Sequence, residues 1–488
     1  MPLPLPLQCE GCPFASKSKY FTPDKLTDSN VLILAQNPGN YEEQGLYLER
    51  YIYSQGREDV VSNTTPQPLL GPSGKMIREQ FWPLAKLGEF DRVSKANVIK
   101  CRPNGVNDLP PIHSKELKAA INHCMHYHFH LPESVRYVLT LGQVALYGLT
   151  ENKVFVEKSE DIEGKNVNSF FNWRGYTLGV NKESGVITGL KEYYSPLSSP
   201  NLINVMPTIH PAALFKDERM FHAVKNDFAK FGKLVRGEWP SVLPQIKRSF
   251  DKPLPKVLGF DTEYDIHDNN RLTLYSVATT EGDIYVLDPD IKLPLYDDTI
   301  IIGQNLLVDI AHFYNLVSSF PSYSFDDLMI AHSVLWPSEP HSLNYICSVY
   351  GRYNRHKHLI GEDFHFYAGL DADTTLNCGW RGVLKDFKDD PFSWRVYVDY
   401  RRPLIPILFE AEKRGIKINQ ERVELIEAIL RENITGYKLE AELLTQREDF
   451  NLGSAKMVGN YLFHIEEIPK PVKVKKPRKK KNANNSEG

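Results

Sequence analysis

The chain has 488 residues, enough for about three domains, and its 42% hydrophobic and 11% aromatic content excludes a largely disordered protein. A net charge of −3 gives no overall basic character, so any contact with nucleic acid must depend on local patches or bound cations. No apolar run approaches the roughly 20 residues of a membrane span and the N-terminus lacks a charged signal region, so we expect a cytoplasmic protein without a membrane partner.

Four cysteines in the first quarter of the chain form one pattern. Cys9 and Cys12 make a C-x2-C pair, and Cys101 and Cys124 follow. In a cytoplasmic protein this set indicates a metal site rather than disulfides. Zinc and an iron–sulfur cluster fit four thiolates equally well on spacing alone. The two remaining cysteines stand singly in apolar helical patterns, which is typical of buried small hydrophobes.

Polar motifs recur after apolar runs over the first 235 residues. Asn97 stands directly before Val98-Ile99, and an Asn amide can donate and accept at once, so it could read the edge of a pyrimidine. His210 stands in a rigid His-Pro turn, where it could donate to a base carbonyl and stabilise a developing anion. The ordered motifs are a strand before Ala35–Gly39, then Gly71–Gly74, Asn97, a strand-like run at 137–145 and Thr208–Ala212.

This order of motifs resembles the uracil-DNA glycosylase superfamily, most closely its iron–sulfur family 4. The resemblance implies an α/β/α domain over residues 1–235 that binds DNA and breaks an N-glycosidic bond. That reaction needs an extruded base, a polarised carbonyl and a positioned water. The resemblance further implies a [4Fe–4S] cluster, with Zn²⁺ as the alternative, on Cys9, Cys12, Cys101 and Cys124.

The chain departs from the family 4 pattern at two places. Gln36 stands where those enzymes carry a glutamate, while Asn37 resembles the water-positioning Asn of the mismatch-specific branches. Leu69 replaces a Phe that stacks on uracil, and such stacking contributes about 1–3 kcal/mol per base. The domain could therefore excise a base, read a damaged or modified base without cutting, or keep DNA binding alone. We predict Asn37 and His210 as catalytic residues and Gln36, Asn97 and Leu69 as base-binding residues.

Residues 236–255 combine several prolines with mixed charge, which predicts a linker. After it, an apolar strand is predicted over 257–260, and it runs into Asp261-Thr262-Glu263. Side chains i and i+2 of a strand share one face, so these two carboxylates should point the same way. Two further motifs follow, Asn305-x-x-x-Asp309 and Tyr367-x-x-x-Asp371. Carboxylates in this number suit two hard divalent cations about 3.5–4 Å apart.

The three motifs resemble the 3′–5′ proofreading exonuclease domain of family A DNA polymerases, over residues 256–390. The resemblance implies a ribonuclease-H-like α/β fold, two Mg²⁺ or Mn²⁺ ions, and a single-stranded DNA or primer 3′ end as substrate. It implies that Asp261, Glu263 and Asp371 ligate metal, that Asp309 holds the second ion through water, and that Tyr367 orients the nucleophilic water.

Residues 391–465 read as helices separated by a break at Gly415. Leu404, Ile407, Leu408 and Ala411 follow helical spacing, and a second amphipathic stretch runs over 421–444. This segment resembles the thumb base at the start of the family A polymerase domain. Motifs of the palm and fingers are not found after it, so we expect a fragment, the product of an interrupted gene, or a subunit whose palm and fingers act in trans. Residues 466–488 are predicted to be a basic disordered tail.

Taken in order, the segments predict a multidomain α/β protein: a glycosylase-like domain, an exonuclease domain and a short helical thumb base. The arrangement resembles DNA polymerases of large bacteriophages, which implies a role in DNA replication in the host cytoplasm. We expect proofreading by this chain and no polymerisation by it alone. Two alternatives are a base-excision repair glycosylase and a non-catalytic sensor of template bases.

Overall fold

The computed structural model describes residues 1–52, 57–112, 114–150, 170–181, 202–238, 244–296, 298–317, 324–353, 356–361 and 363–465. The chain forms two compact units, Met1–Lys413 and Arg414–Gly488. Helices and strands alternate through the first unit around two large sheets, which confirms the α/β class. Within the described part of the chain, no helix is both long and apolar enough to cross a membrane.

The described residues up to 235 build one five-stranded sheet and two small two-stranded sheets. The sheet order is β6-β3-β7-β9-β8, with β8 the one antiparallel strand at its edge. The interior strand β3 is apolar and fully buried, as expected for a parallel strand covered on both faces. The strands are β1 (Leu3–Pro4), β2 (Tyr20–Phe21), β3 (Val31–Ala35), β4 (Leu46–Ile52), β5 (Glu58–Asn63), β6 (Ser94–Asn97), β7 (Tyr137–Leu141), β8 (Leu178–Asn181) and β9 (Leu202–Thr208).

This sheet has a topological switch point beside β3, because β6 lies on one side of it and β7 on the other. In open α/β sheets, ligands bind in the crevice outside the carboxyl ends of the strands at such a point. The motifs that begin at Ala35, Asn97 and Thr208 lie at those ends, whereas Leu69 follows the separate β4-β5 ribbon. The α-helices of this region are Asn40–Gln44, Pro72–Met76, Trp82–Ala85, Lys115–His128, Gln143–Leu149, Phe170–Trp173, Pro211–Leu214 and Phe221–Val235.

The predicted strand over 137–145 is wrong in its second half. The strand ends at Leu141, Gly142 turns the chain with φ of 85°, and Gln143–Leu149 is a helix. Glycine is the residue that adopts positive φ without steric strain, so it can switch the chain from strand to helix here. Short apolar runs do not distinguish strand from buried helix, which explains the error.

Residues beyond 244 build the second sheet in the order β10-β13-β12-β11-β14-β15. The predicted strand is confirmed within β11, which pairs antiparallel with β12 and parallel with β14. The predicted linker contributes β10 and the buried Leu254. The strands are β10 (Ile246–Lys247), β11 (Val257–Asp265), β12 (Arg271–Thr279), β13 (Ile284–Leu287), β14 (Ile300–Gly303) and β15 (Ser324–Asp327). The α-helices are Leu307–Leu316, Leu328–Leu335, Leu343–Tyr350, Phe364–Asp373, Arg381–Asp389, Pro391–Val396 and Leu404–Arg414.

The helix Phe364–Asp373 packs directly on this sheet because a glycine faces it. A Cβ atom at Gly259 would lie 2.6 Å from the carbonyl oxygen of Ala372, so only glycine permits this approach. The helix continues through the π-helical turn Thr374–Trp380, whose residues are buried. The close approach brings the helix that carries Tyr367 and Asp371 against the strand that carries Asp261.

The helix predicted around Leu404 is confirmed, but its predicted apolar face is wrong. Leu404, Ile407 and Leu408 are exposed, whereas Ile405 and Phe409 are buried and pack with the second sheet's core. Leu404, Ile407 and Leu408 lie at helical spacing, and so do Ile405 and Phe409 on a neighbouring face. The spacing alone therefore did not decide which of the two apolar faces is buried.

The described residues of the second unit, 414–465, are mainly helical. Its helices are Gln420–Thr445 and Ala455–Asn460, which confirms the second predicted amphipathic stretch as helix. Ala441 is the one buried residue of the long helix. The predicted basic tail, 466–488, lies outside the described residues.

Candidate functional site

Three of the predicted metal ligands meet at the junction of β11 and the helix Phe364–Asp373. One carboxylate oxygen from each of Asp261, Glu263 and Asp371 lies within 4.8 Å of the other two. Asp261 and Glu263 share one face of β11, as the alternation of a strand requires. Among the described residues, this is the one group of three or more His, Cys, Asp or Glu ligand atoms so close together.

The electrostatics of this carboxylate cluster indicate a surplus of negative charge. Burial, followed by repulsion from Asp309 and Asp371, holds the pKa of Asp261 well above its usual range. Burial and the charge of Asp371 raise the pKa of Glu263 to about 7. A bound divalent cation would relieve this repulsion, and oxygen donors are the ligands that Mg²⁺ and Mn²⁺ prefer. The donor set therefore fits the predicted ions.

Asp309 lies beside this cluster but outside the close group of three. Its Oδ1 accepts hydrogen bonds from the Thr262 amide, at 3.0 Å, and from the Thr262 hydroxyl. Burial raises the pKa of Asp309 to about 7, although the bonds from Thr262 act in the opposite direction. The preceding turn is held by Asp327, whose carboxylate accepts from the Leu306 amide at 2.7 Å. Asp309 thus lies at the edge of the carboxylate cluster. That it holds the second metal ion through a water remains a prediction.

Two basic side chains at this site, His356 and Lys357, were not predicted from the sequence. His356 Nε2 lies 2.7 Å from Asp371 Oδ1, and Lys357 Nζ lies 3.2 Å from Asp371 Oδ2. Lys357 Nζ also donates to the Tyr367 hydroxyl at 2.7 Å. Burial would raise the pKa of Asp371, but Lys357 and His356 outweigh it and hold that pKa below its usual range. Neither residue belongs to the acidic motifs, and only the fold brings them there.

Two of the three predicted base-binding residues, Gln36 and Asn97, lie at the carboxyl ends of neighbouring strands of the first sheet. Asn97 pairs in register with Ala35, directly before Gln36. A Cβ atom at Gly142 would lie 2.6 Å from Gln36 Nε2 and 3.1 Å from His210 Cβ, so these side chains crowd around one glycine. We call this group of Gln36, Asn97, Gly142 and His210 the strand-end pocket.

The histidine of the strand-end pocket is held in one neutral form. Burial lowers the pKa of His210 to about 4, so the ring is neutral near pH 7. Its Nδ1 accepts a hydrogen bond from the Ala212 amide at 3.1 Å. The ring proton therefore resides on Nε2, which can donate to a carbonyl oxygen.

The two asparagines predicted at this site, Asn97 and Asn37, differ in the hydrogen bonds that their side-chain amides make. Asn97 is buried, and its Nδ2 has no hydrogen-bond partner within the described part of the chain. A buried donor without an acceptor costs about 1–3 kcal/mol, so the position favours a ligand that supplies one. Asn37 Nδ2 donates to the carbonyls of Pro38 and Asn107, both at 3.3 Å. Its side-chain oxygen can still accept from a water.

Leu69, the third predicted base-binding residue, adopts an unusual backbone conformation. Its φ is 64°, in the left-handed region that non-glycine residues rarely occupy, and its side chain is buried. Two residues later, the Gly71 amide donates to Glu42 Oε1 at 3.2 Å. Glu42 also accepts from the Gly39 amide at 2.8 Å, so it joins the two loops beside the pocket. We had not predicted this role for Glu42.

The four predicted cluster cysteines are all buried, free and mutually close enough to interact electrostatically. A hydrogen bond with Cys124 lowers the pKa of Cys12 to about 6. Four thiols without a disulfide suit zinc or iron. Zinc and an iron–sulfur cluster are therefore both alternatives for this group of four thiols.

Comparison with known proteins gives partial and distant similarities. No protein-family model matches the chain. "DNA polymerase I" of Rhizobium leguminosarum is 28% identical over an alignment of 219 residues, which covers 41% of this chain and 21% of that protein. The chain thus spans about a fifth of that relative's length.

Solved structures with similarity include two of Brucella melitensis NrnC, one with bound Mg²⁺ and one bound to pGG. They share 14% and 15% identity and cover 35% of this chain and 92% and 91% of theirs, with TM-scores of 0.28. At these scores the structural similarity carries no argument about function.

Proposed function

We propose that this chain is a 3′–5′ exodeoxyribonuclease belonging to the N-terminal part of a family A DNA polymerase. The observation that carries the proposal is the carboxylate cluster of Asp261, Glu263 and Asp371. The similarity to a DNA polymerase I supports the same class. Domain boundaries at 1–235, 256–390 and 391–465 are part of this proposal.

In this mechanism the three carboxylates would hold two Mg²⁺ or Mn²⁺ ions, with Asp309 holding the second through water. Such ions activate a water and stabilise the leaving oxygen when bound. Tyr367 would orient the water through its hydroxyl, which Lys357 fixes by a 2.7 Å hydrogen bond. Thr262 keeps Asp309 turned toward β11 by donating to its Oδ1. The chain thus supplies ligands, a positioned phenol and a cation in one place.

The exonuclease proposal can be tested with single-stranded DNA labelled at its 5′ end. With Mg²⁺, the protein should produce a ladder of products shortened from the 3′ end. The Asp261→Ala/Glu263→Ala double variant should produce none, while Asp268→Ala, an exposed acidic control on the turn after β11, should cut normally. Wild-type protein that leaves the DNA intact with both Mg²⁺ and Mn²⁺ would refute the proposal.

We further propose that the strand-end pocket receives a base extruded from DNA. The unpartnered Nδ2 of the buried Asn97 supports a ligand carbonyl there, and the neutral His210 can donate from Nε2 to a second carbonyl. A pyrimidine such as uracil or a 5-substituted uracil presents two carbonyl oxygens. Excision of that base, with Asn37 positioning water, is one reading, and recognition without cleavage is the other.

Oligonucleotides that contain uracil or modified uracils separate these readings. Excision would give abasic sites that Asn37→Ala and His210→Ala abolish. A sensor would bind the modified oligonucleotide more tightly than its thymine counterpart, leave it uncut, and lose that preference in Asn97→Ala. Equal affinity for all bases, without cleavage, would contradict both readings and leave DNA binding alone.

For the four cysteines, we propose a [4Fe–4S] cluster with a structural role. Their burial as four free thiols supports a metal site, and Zn²⁺ is the alternative occupant.

We also propose a bacteriophage-type polymerase in which a second polypeptide supplies the palm and fingers. A protein with palm and fingers motifs that co-purifies with this chain from its source would support this. Polymerase activity of the present chain alone would contradict it.

A further inference from the structure

A lysine outside the acidic motifs reaches into the carboxylate cluster. Lys357 begins the 3₁₀ turn Lys357–Gly361, and its Nζ lies 2.7 Å from Tyr367 Oη and 3.2 Å from Asp371 Oδ2. Its side chain is 42% exposed, whereas that of Asp371 is 6% exposed. The ammonium group therefore stands at the boundary between the buried carboxylates and solvent, which is where a DNA strand must approach.

The ammonium group retains capacity for a further acceptor. It has three N–H donors, and its described hydrogen bonds use two of them. One of the two goes to a phenol, a neutral acceptor. Lys357 is thus more than a counter-ion of Asp371.

We propose that Lys357 is a catalytic residue whose remaining N–H binds a non-bridging oxygen of the scissile phosphate. The inference rests on the proposed exonuclease function. In that hydrolysis a water oxygen bonds to phosphorus and the bond to the 3′ oxygen of the preceding nucleotide breaks. One water proton ends on that 3′ oxygen, and the other is lost to solvent from the new phosphate monoester.

The cation is needed because negative charge gathers around phosphorus during this reaction. A fixed donor aimed at developing charge stabilises the transition state without reorganisation. Here the surrounding side chains are themselves carboxylates, which would repel an approaching phosphate. Lys357 offsets that repulsion at the solvent side and holds the Tyr367 hydroxyl at the same time. Both effects depend on the charge of residue 357.

The alternative is that Lys357 only neutralises Asp371 and contributes stability. The two roles predict different behaviour when the charge is removed without changing the length of the side chain. A counter-ion for Asp371 competes with metal, so its removal would leave metal binding equal or tighter under either role. Only a phosphate ligand would lose affinity for nucleotide.

The test compares Lys357→Met, Lys357→Arg and the surface control Lys256→Met, a lysine paired with Asp298. Binding of Mn²⁺ is measured without DNA, and binding of single-stranded DNA and thymidine 5′-monophosphate is measured with Ca²⁺, which supports binding without cleavage. Single-turnover cleavage is then measured with Mg²⁺. Thermal unfolding of each variant checks that it folds.

We expect Lys357→Met to bind Mn²⁺ at least as tightly as the wild type, to bind nucleotide about tenfold more weakly, and to cut about 10²–10³-fold more slowly. Lys357→Arg should recover most of the nucleotide affinity, and Lys256→Met should behave as wild type. Unchanged nucleotide affinity in Lys357→Met would overturn the inference. If wild-type protein binds nucleotide through Lys357 yet never cuts DNA, the exonuclease proposal fails while the phosphate site stands.

Discussion

Arg174 Nη1 donates to Asp227 Oδ1 across 2.6 Å, and both side chains are completely buried. The pair does not stand alone, because Asp227 Oδ2 accepts from Thr208 Oγ1 at 2.7 Å and Arg174 Nη2 donates to Ser348 Oγ. Lys230 Nζ donates to the carbonyls of Gly175 and Ser348 at 2.7 and 3.0 Å. The buried cations Arg174 and Lys230, which lie within the first 235 residues, are thereby hydrogen-bonded to Ser348 of the helix Leu343–Tyr350.

Arg174→Met should destabilise the first unit by about 3–5 kcal/mol, because it leaves the Asp227 charge buried without its partner. Denaturant unfolding followed by circular dichroism measures this change. The control Arg219→Met removes an exposed partner of Asp217 and should leave the unfolding midpoint unchanged. The double variant Arg174→Met/Asp227→Leu should recover stability relative to Arg174→Met. A single variant as stable as the wild type would contradict the importance of this pair.

The stability of the metal-free protein should fall as the pH rises from about 5 to about 8. Glu263 and Asp309 each have a pKa raised to about 7, so the folded protein binds more protons than the unfolded chain in that interval. The stability they contribute is complete below the unfolded pKa and is lost as the pH rises through about 7. Thermal unfolding in chelator at several pH values measures the slope.

Glu263→Gln should raise the metal-free melting temperature at about pH 8, because it removes one buried charge from the cluster. The same variant should lose the stabilisation that Mg²⁺ or Mn²⁺ gives to the wild type. The exposed control Glu281→Gln should retain that stabilisation. If the metal-induced shift survived Glu263→Gln unchanged, the ion would bind elsewhere.

The cysteine cluster gives a prediction that does not depend on activity. Protein purified without oxygen should be brown, absorb broadly near about 400 nm, and contain iron and sulfide. Cys101→Ala should lose the colour, because Cys101 is one of the four buried thiols. Cys378→Ala, which removes a buried cysteine that packs with Leu359 and Leu370, should keep it. Colourless wild-type protein with one zinc ion per chain would overturn the iron–sulfur assignment.

The alternation of side chains along a strand was sufficient to predict that Asp261 and Glu263 lie together in the carboxylate cluster. Asp261 and Glu263 share a face because strand side chains alternate, and the apolar run before them is the strand β11. Asp371 lies beside them because Gly259 lets the helix Phe364–Asp373 approach β11 closely. The role of this glycine can be recognised only once the helix and the strand are known to pack together. Lys357 and His356 could not be predicted, since no spacing rule links them to Asp371. The prediction of the buried face of the helix Leu404–Arg414 was wrong for the same reason, because tertiary packing decides which of its two apolar faces is buried.

Glu42 provides a prediction for the strand-end pocket. Its buried carboxylate accepts from the Gly39 amide at 2.8 Å and the Gly71 amide at 3.2 Å, which joins the loop after β3 to the loop that contains Leu69. Burial raises the pKa of Glu42, while bonds from backbone amides favour its charged form. In Glu42→Gln, the amide nitrogen would replace one acceptor and face a backbone N–H. We expect a loss of about 1–3 kcal/mol in unfolding free energy.

The same variant should also weaken any base-dependent DNA binding, because both loops border the residues proposed to contact the base. The control is Glu49→Gln, an exposed glutamate on β4 whose side chain lies outside this link. Unfolding in denaturant and binding to a uracil-containing oligonucleotide should both change in Glu42→Gln and neither in Glu49→Gln. Lost stability with unchanged base preference would show that the two loops support the fold but do not shape the pocket.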